Sequence, residues 1–175
     1  SPEWIVNLIL DEINYNNKDI LNKKILEPSC GDGVFLMEIV DRFIKEAIKE
    51  KIETKQIKKM LEENIYGIEI IKEEVMKTKE KLDKFCLSFG IEGVNWNILN
   101  EDTLKLPKKY KYLNSYFDYV VGNPPYISIH NIDEKYRNYL RKKYITCEKG
   151  MFDIYYAFYE IGVKFLKDEG KLGFI

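Results

Sequence analysis

Asn123-Pro124-Pro125-Tyr126 is the most specific chemical feature of the sequence. Two adjacent prolines fix the backbone and remove two N–H donors, so the local carbonyls are held outward without partners in the chain. The Asn123 side chain adds a further acceptor, and Tyr126 adds an aromatic face. A rigid arc of acceptors beside a stacking platform matches a planar heterocycle with an exocyclic amino group, such as adenine. Without its neighbours, the same segment is a proline-stiffened turn with Tyr126 as a core aromatic.

Other reactive or binding side chains fall in similar settings. Glu27-Pro28-Ser29-Cys30-Gly31-Asp32-Gly33 is a glycine-rich turn whose backbone can approach a ligand closely, ahead of a helix N-terminus with free N–H groups. It lacks the Gly-Lys-Ser/Thr ending of a phosphate loop. Glu27 and Asp32 would crowd two carboxylates where a pyrophosphate needs room, so the turn suits a positively charged ligand. Glu69 stands where a carboxylate can accept from both hydroxyls of a ribose, although a lone acid there is often a solvated surface group. Asp102, in Asn100-Glu101-Asp102-Thr103, can accept from the exocyclic amine of a purine or can cap a following turn. Together these acids fit a cationic nucleoside better than a phosphorylated one, and S-adenosylmethionine is such a molecule. Between residues 134 and 149, Lys135, Arg137, Arg141, Lys142, Lys143 and Lys149 alternate with Tyr136, Tyr139 and Tyr144. That segment reads equally as a phosphate-contacting stripe or as a solvated amphipathic helix with core tyrosines.

The elements that must hold these groups alternate in period. Apolar spacing predicts a helix over 3–13, with Ser1-Pro2 supplying its cap and a first-turn proline. A polar loop over 14–23 and a strand over 24–26 follow. From Val34 a helix sets Phe35, Ile39, Phe43 and Ile48 along one face, and a second helix starts near Thr54. Strands are expected over 65–70, 94–99, 117–121 and 171–175, with helices over 71–88 and 153–167. Strands alternating with helices in this way predict an α/β fold, a mostly parallel sheet with helices on both faces. In such sheets ligands bind at the carboxyl ends of the strands, near the point where strand order reverses. Every cluster described above falls at one of those ends.

Composition narrows the class. A chain of 175 residues is sized for one domain, and 45% apolar with 33% charged residues is a globular composition. Twenty-eight basic against 29 acidic residues, a net charge of −1, exclude a disordered polyelectrolyte and a uniformly basic coat. Cys30, Cys86 and Cys147 form no C-x-x-C pair or disulfide framework, which favours a reducing compartment. No apolar run approaches the roughly 20 residues of a membrane span, and no signal-peptide pattern opens the chain, so a soluble cytoplasmic protein without membrane partners is expected. One histidine, His130, nearly excludes a histidine dyad or a histidine-rich metal site, and no metal is expected.

In order along the whole chain, these motifs resemble the adenine-N6-specific DNA methyltransferases, with the N-terminal cofactor motif first, as in type I and type IIG restriction-modification enzymes. Ser1-Pro2-Glu3-Trp4-Ile5-Val6 is similar to that family's opening motif, and Leu26–Leu36 to its first cofactor motif. Tyr66–Ile70 and Asn100–Thr103 fall at its ribose and adenine contacts. Asn123–Tyr126 matches its catalytic motif, and Phe152–Phe158 with Gly170–Ile175 match the following pair. The resemblance implies a Rossmann-like fold with S-adenosyl-L-methionine as cofactor, and duplex DNA with a flipped adenine as partner. By the same carry-over, Glu27 with the backbone of Cys30, Gly31 and Gly33 would hold the methionine moiety. Glu69 would bind the ribose, Asp102 the cofactor's adenine amine, and Phe158 would pack on the adenine or serve only as a core aromatic. Ser1 falls where that family has a cofactor contact.

Acceptance of the amine's N–H bonds by Asn123 and the Pro124 carbonyl would return electron density to the nitrogen. No base need act first, because the proton leaves only after the nitrogen becomes cationic. Glutamine-directed and ribosomal-RNA guanine methyltransferases share the Asn-Pro-Pro-Tyr motif, but their cofactor turns usually open differently. A fragment that binds only cofactor or nucleic acid is the rival from outside enzymology. The expected organisation is one methyltransferase domain over 1–175, an N-terminal helix 1–13 and a core 24–175. The chain is expected to be truncated within its last strand, with a target recognition domain or specificity subunit supplied elsewhere.

Overall fold

The apolar side chains of the central strands divide between two faces, and helices cover both. The structure, a computed structural model, describes all residues from Ser1 to Ile175. Helix α1 spans Glu3–Glu12 and buries Val6 and Leu10. Strand β1 (Ile25–Glu27) leads to helix α2 (Val34–Lys49), and helix α3 (Thr54–Asn64) leads directly to strand β2 (Ile65–Glu69). Helix α4 (Lys72–Leu87), strand β3 (Asn97–Asn100) and strand β4 (Phe117–Gly122) follow. Helices α5 (Glu134–Lys143) and α6 (Ile154–Phe165) precede strand β5 (Leu166–Phe174).

The strands order as β3-β2-β1-β4-β5, and every pairing is parallel. This is the expected α/β architecture, and strand order reverses between β1 and β4. Ile25, Ile65, Ile98 and Val121 face a core shared with α1 to α4. Leu26, Ile68, Phe117 and Val120 face the other core, filled by α6 and the end of α5. Burial on both faces explains why β1, only three residues long, is apolar up to its final carboxylate.

Several local expectations need correction. Residues 14–23 are not plain loop: a 3-10 turn covers Lys18–Asn22, capped by the Asn17 side chain, and buries Ile20 and Leu21. Ser1 does not cap α1; Pro2 occupies that position with no side-chain cap bond. Ile48 is 48% exposed. Thirteen residues beyond Phe35, it lies about 220° round the helix, and Leu36, Val40, Ile44 and Ala47 complete the buried face instead. β3 starts only at Asn97, because Val94 and Trp96 pack into the core before pairing begins. β5 starts earlier than expected, with Leu166 opposite Phe117. It then bulges, with Glu169 at φ +63°, and pairs again from Lys171 opposite Tyr119. Gly170 therefore lies inside the strand rather than before it. No helix is long and apolar enough to cross a membrane, and all three cysteines are free and buried.

Candidate active site

The glycine turn follows β1 and is tied to both of its neighbours. Cys30 donates its amide to the Ile68 carbonyl at 3.0 Å, and Gly33 donates to the Cys30 carbonyl at 2.8 Å. Gly31 and Gly33 adopt φ of +46° and +81°, a region that disfavours residues with a Cβ. At Gly33 a Cβ would also lie 2.6 Å from Thr78 Cγ2, so glycine lets α2 start hard against α4. Thr78 Oγ1 donates to the Gly31 carbonyl at 3.0 Å, and Lys81 Nζ to that of Asp32 at 2.8 Å.

Glu69 closes the turn from the other side. One oxygen accepts from the Gly31 amide at 2.8 Å and the other from the Ile71 amide at 2.9 Å. Each carboxylate oxygen can accept twice, so a lone pair on each is spare. Asp102 caps the 3-10 turn Thr103–Lys105 by accepting from the Leu104 amide at 2.9 Å. Its second oxygen accepts from the Tyr136 hydroxyl at 2.8 Å. Asp102 thus serves as the cap that the sequence allowed, and it also lines the cavity described below. Thr103 Oγ1 donates to the Pro28 carbonyl at 2.5 Å, joining this turn to the end of β1.

Three polar atoms at or just beyond the ends of β1 and β4 are buried without partners: Glu27 Oε2, Ser29 Oγ and Asn123 Oδ1. Glu27 is only 3% exposed. Burial pushes its carboxyl well above the usual carboxylate range, the charges of Asp32 and Glu69 add to this, and the Leu36 amide pulls the other way. Asn123 donates its Nδ2 to Ser1 Oγ at 3.1 Å, which leaves the side-chain oxygen as an unused acceptor. Pro124 is buried, whereas Tyr126 is 61% exposed and lies 5.5 Å from the Tyr155 ring at an interplanar angle of 9°. The Tyr126 hydroxyl donates to the Ile175 carbonyl. Asp153 Oδ1 accepts from both the Ile127 and Tyr155 amides at 3.0 Å, pinning the segment after Tyr126 to the start of α6.

A cavity of about 680 Å³ opens across the carboxyl ends of the strands. Glu69, Asp102, Asn123, Pro125 and Phe158 all line it, so residues from four separate motifs meet in one space. Glu27, Cys30, Gly31, Gly33, Pro124 and Tyr126 are not in its lining. Asp32 instead borders a second hollow of about 480 Å³, with Ser1 and Val34. Ser29, Ile70 and Ile71, to which the sequence assigned no individual role, also line the larger cavity, as does Tyr136, which the sequence placed only in the basic 134–149 segment. The apolar pair Ile70-Ile71, exposed at the end of a buried strand, was an available signal.

The cations of α5 divide. Arg137 Nη2 donates to the Ile132 carbonyl at 3.2 Å, and Lys143 Nζ to that of Leu104 at 2.9 Å. Arg141 donates to the carbonyls of Glu148 and Gly150 at 3.1 and 3.0 Å. Lys135 and Lys142 are exposed and border a shallow hollow with Asn138 and Tyr139.

The family model of the Eco57I restriction-modification methylases matches residues 18–175. The chain belongs to that family. Among its relatives, the type II methyltransferase M.BstVI of Geobacillus stearothermophilus is 32% identical over 185 residues, covering 98% of this chain and 31% of that protein. M.XhoI of Xanthomonas vasicola is 28% identical, covering 98% of this chain and 32% of that protein. The chain thus spans about a third of the length of these two relatives. Among solved structures, the DrdV–DNA complex superposes with a TM-score of 0.71 at 18% identity, over 99% of this chain and 20% of that one. The nuclease-deleted type ISP enzyme LlaGI, solved with a DNA substrate mimic, gives 0.65 at 17% identity, over 95% of this chain and 17% of that one. The methylase family and the shared fold agree with the Rossmann-like architecture expected from the motif order.

Proposed function

We propose that this chain is the cofactor-binding and catalytic part of a restriction-modification enzyme that methylates the N6 amine of a flipped adenine in DNA, using S-adenosylmethionine. The observation that carries the reading is Asn123 Oδ1, a buried acceptor with no partner, on a residue that lines the cavity. An unpaired buried carbonyl costs on the order of 1–3 kcal/mol, and an incoming N–H donor removes that cost.

The residues present fit the cofactor. Glu27 presents an unpaired carboxyl oxygen in an acidic setting suited to a cationic group, and Ser29 presents an unpaired hydroxyl. Glu69 retains acceptor capacity for ribose hydroxyls, Asp102 retains it for an adenine amine, and Phe158 offers an apolar face in the same cavity. The family membership and the Asn-Pro-Pro-Tyr motif support the same assignment. When bound, S-adenosylmethionine supplies a methyl group activated by its sulfonium.

The chain's own residues prepare the acceptor. Adenine's amine is a poor nucleophile because its lone pair is delocalised into the ring. Donation of its N–H bonds to Asn123 Oδ1 and to the Pro124 carbonyl would localise that pair and fix its direction. Such positioning is worth several kcal/mol, and the absence of a base is no obstacle because proton loss comes last. Flipping the base costs a few kcal/mol, of which stacking on exposed Tyr126 would return roughly 1–3. DNA as substrate is supported further by the exposed cations Lys135 and Lys142 on the face of α5.

Transfer of labelled methyl groups tests this reading, with duplex DNA, RNA and protein offered as acceptors. Label should enter DNA, and Asn123→Ala should lower the rate about 10²–10³-fold. Equal labelling by wild type and Asn123→Ala, or label in RNA or protein instead, would overturn it.

A further inference from the structure

Tyr136 lies in the segment that reads equally as a phosphate-contacting stripe or as an amphipathic helix with core tyrosines, and in the structure it lines the cavity. It donates to Asp102 Oδ2 at 2.8 Å, across 34 residues of chain. Both residues line the cavity at the carboxyl ends of the strands. Asp102 Oδ1 is already committed to the Leu104 amide at 2.9 Å, so the two bonds together hold the carboxylate in one rotamer.

The contact is built in by the rest of α5 and by Tyr144, which follows it. The Tyr139 and Tyr144 hydroxyls and Lys143 Nζ all donate to the Leu104 carbonyl, at 3.1, 2.8 and 2.9 Å. The helix is thereby locked onto the 102–104 turn, and Tyr136 arrives at Asp102 as a consequence of that registry. Burial and the neighbouring Asp102 charge push the Tyr136 hydroxyl far above its usual range, so it stays a donor. A fixed donor leaves Asp102 purely an acceptor, with one remaining lone pair on each oxygen.

We propose that Tyr136 is a positioning residue: through Asp102 it sets the selectivity of the cavity for the 6-amino group of the cofactor's purine ring. This rests on the cofactor reading given above. The chemistry is that of a site built to accept one N–H, in which a purine lacking that donor leaves a carboxylate oxygen unpaired. α5 is then a wall of the purine pocket first, and a nucleic-acid surface only through its outward cations.

Calorimetric titration with two probes separates this from a structural role. One probe is S-adenosylhomocysteine; the other is its analogue with hydrogen in place of the 6-amino group. Wild type should prefer the amino probe. Tyr136→Phe should weaken binding of the amino probe about tenfold and leave the deamino probe within about twofold. Asp102→Ala should abolish the preference, and adding Tyr136→Phe to it should change nothing further. The inference is overturned if Tyr136→Phe weakens both probes equally, weakens neither, or adds to Asp102→Ala. Failure of wild type to bind either probe would instead overturn the cofactor reading beneath it.

Discussion

Glu27 is an acid kept from water with one oxygen unpartnered, a cost to the free protein that the cationic cofactor proposed above would offset. Its folded pKa lies well above its ordinary value of 4.5, first through burial and then through the Asp32 charge. The unfolded chain therefore releases this proton at lower pH than the folded protein. The stability that the group contributes is present below about pH 4.5 and is lost as pH rises towards the folded pKa. Glu27→Gln keeps the shape and removes the titration. Its Tm should exceed that of wild type by about 2–4 °C at pH 7, with no gain at pH 4, while cofactor affinity falls. Thermal melts between pH 4 and 8 check this, and an offset independent of pH would contradict it. At this scale the sequence was most legible in placement: Asn123, Glu69 and Asp102 stand at or just past strand ends and line one cavity, as their order along the chain predicts. The Tyr136–Asp102 contact and the unpartnered Ser29 hydroxyl were illegible, because they depend on packing and burial rather than on neighbours in the chain.

Among the elements, the start of α6 does two things with one side chain. Asp153 Oδ1 caps the helix through the Tyr155 amide and holds the Ile127 amide of the segment leaving Tyr126. The Ile154 amide returns a bond to the Ile127 carbonyl at 2.9 Å, so the segment leaving Tyr126 is tied to α6. Asp153→Ala should cost about 1 kcal/mol in denaturant unfolding, the usual value of a lost cap. It should also lower kcat about tenfold by loosening Asn123 and Tyr126, whereas Asp153→Asn keeps the acceptor and stays near wild type. A stability loss in Asp153→Ala with unchanged kcat would separate the cap from the proposed role of Asn123–Tyr126. Helices and strands were legible here because period and burial agree, as in α2 and β4. The 3-10 turn at Lys18–Asn22 and the bulge in β5 were not, since each depends on which partner the backbone meets.

For the whole molecule, the reversal of strand order between β1 and β4 explains why distant motifs share one cavity. Ser29 and Asn123 stand just beyond the ends of these neighbouring strands, and Glu69 and Asp102 at or just beyond those of β2 and β3. The net charge of −1 conceals a division between acids around this rim and the cations of α5. Several of those cations bind carbonyls of the chain itself, which composition could not reveal. The proposed reaction fixes the product as well as the site. The most decisive measurement is mass analysis of nucleosides from DNA incubated with the protein and S-adenosylmethionine, beside DNA treated with Asn123→Ala. N6-methyladenine should accumulate with wild type and fall about 10²–10³-fold with the variant. Methyl groups on cytosine, or equal N6-methyladenine from both proteins, would contradict the assignment of Asn123 as the acceptor that readies the adenine amine.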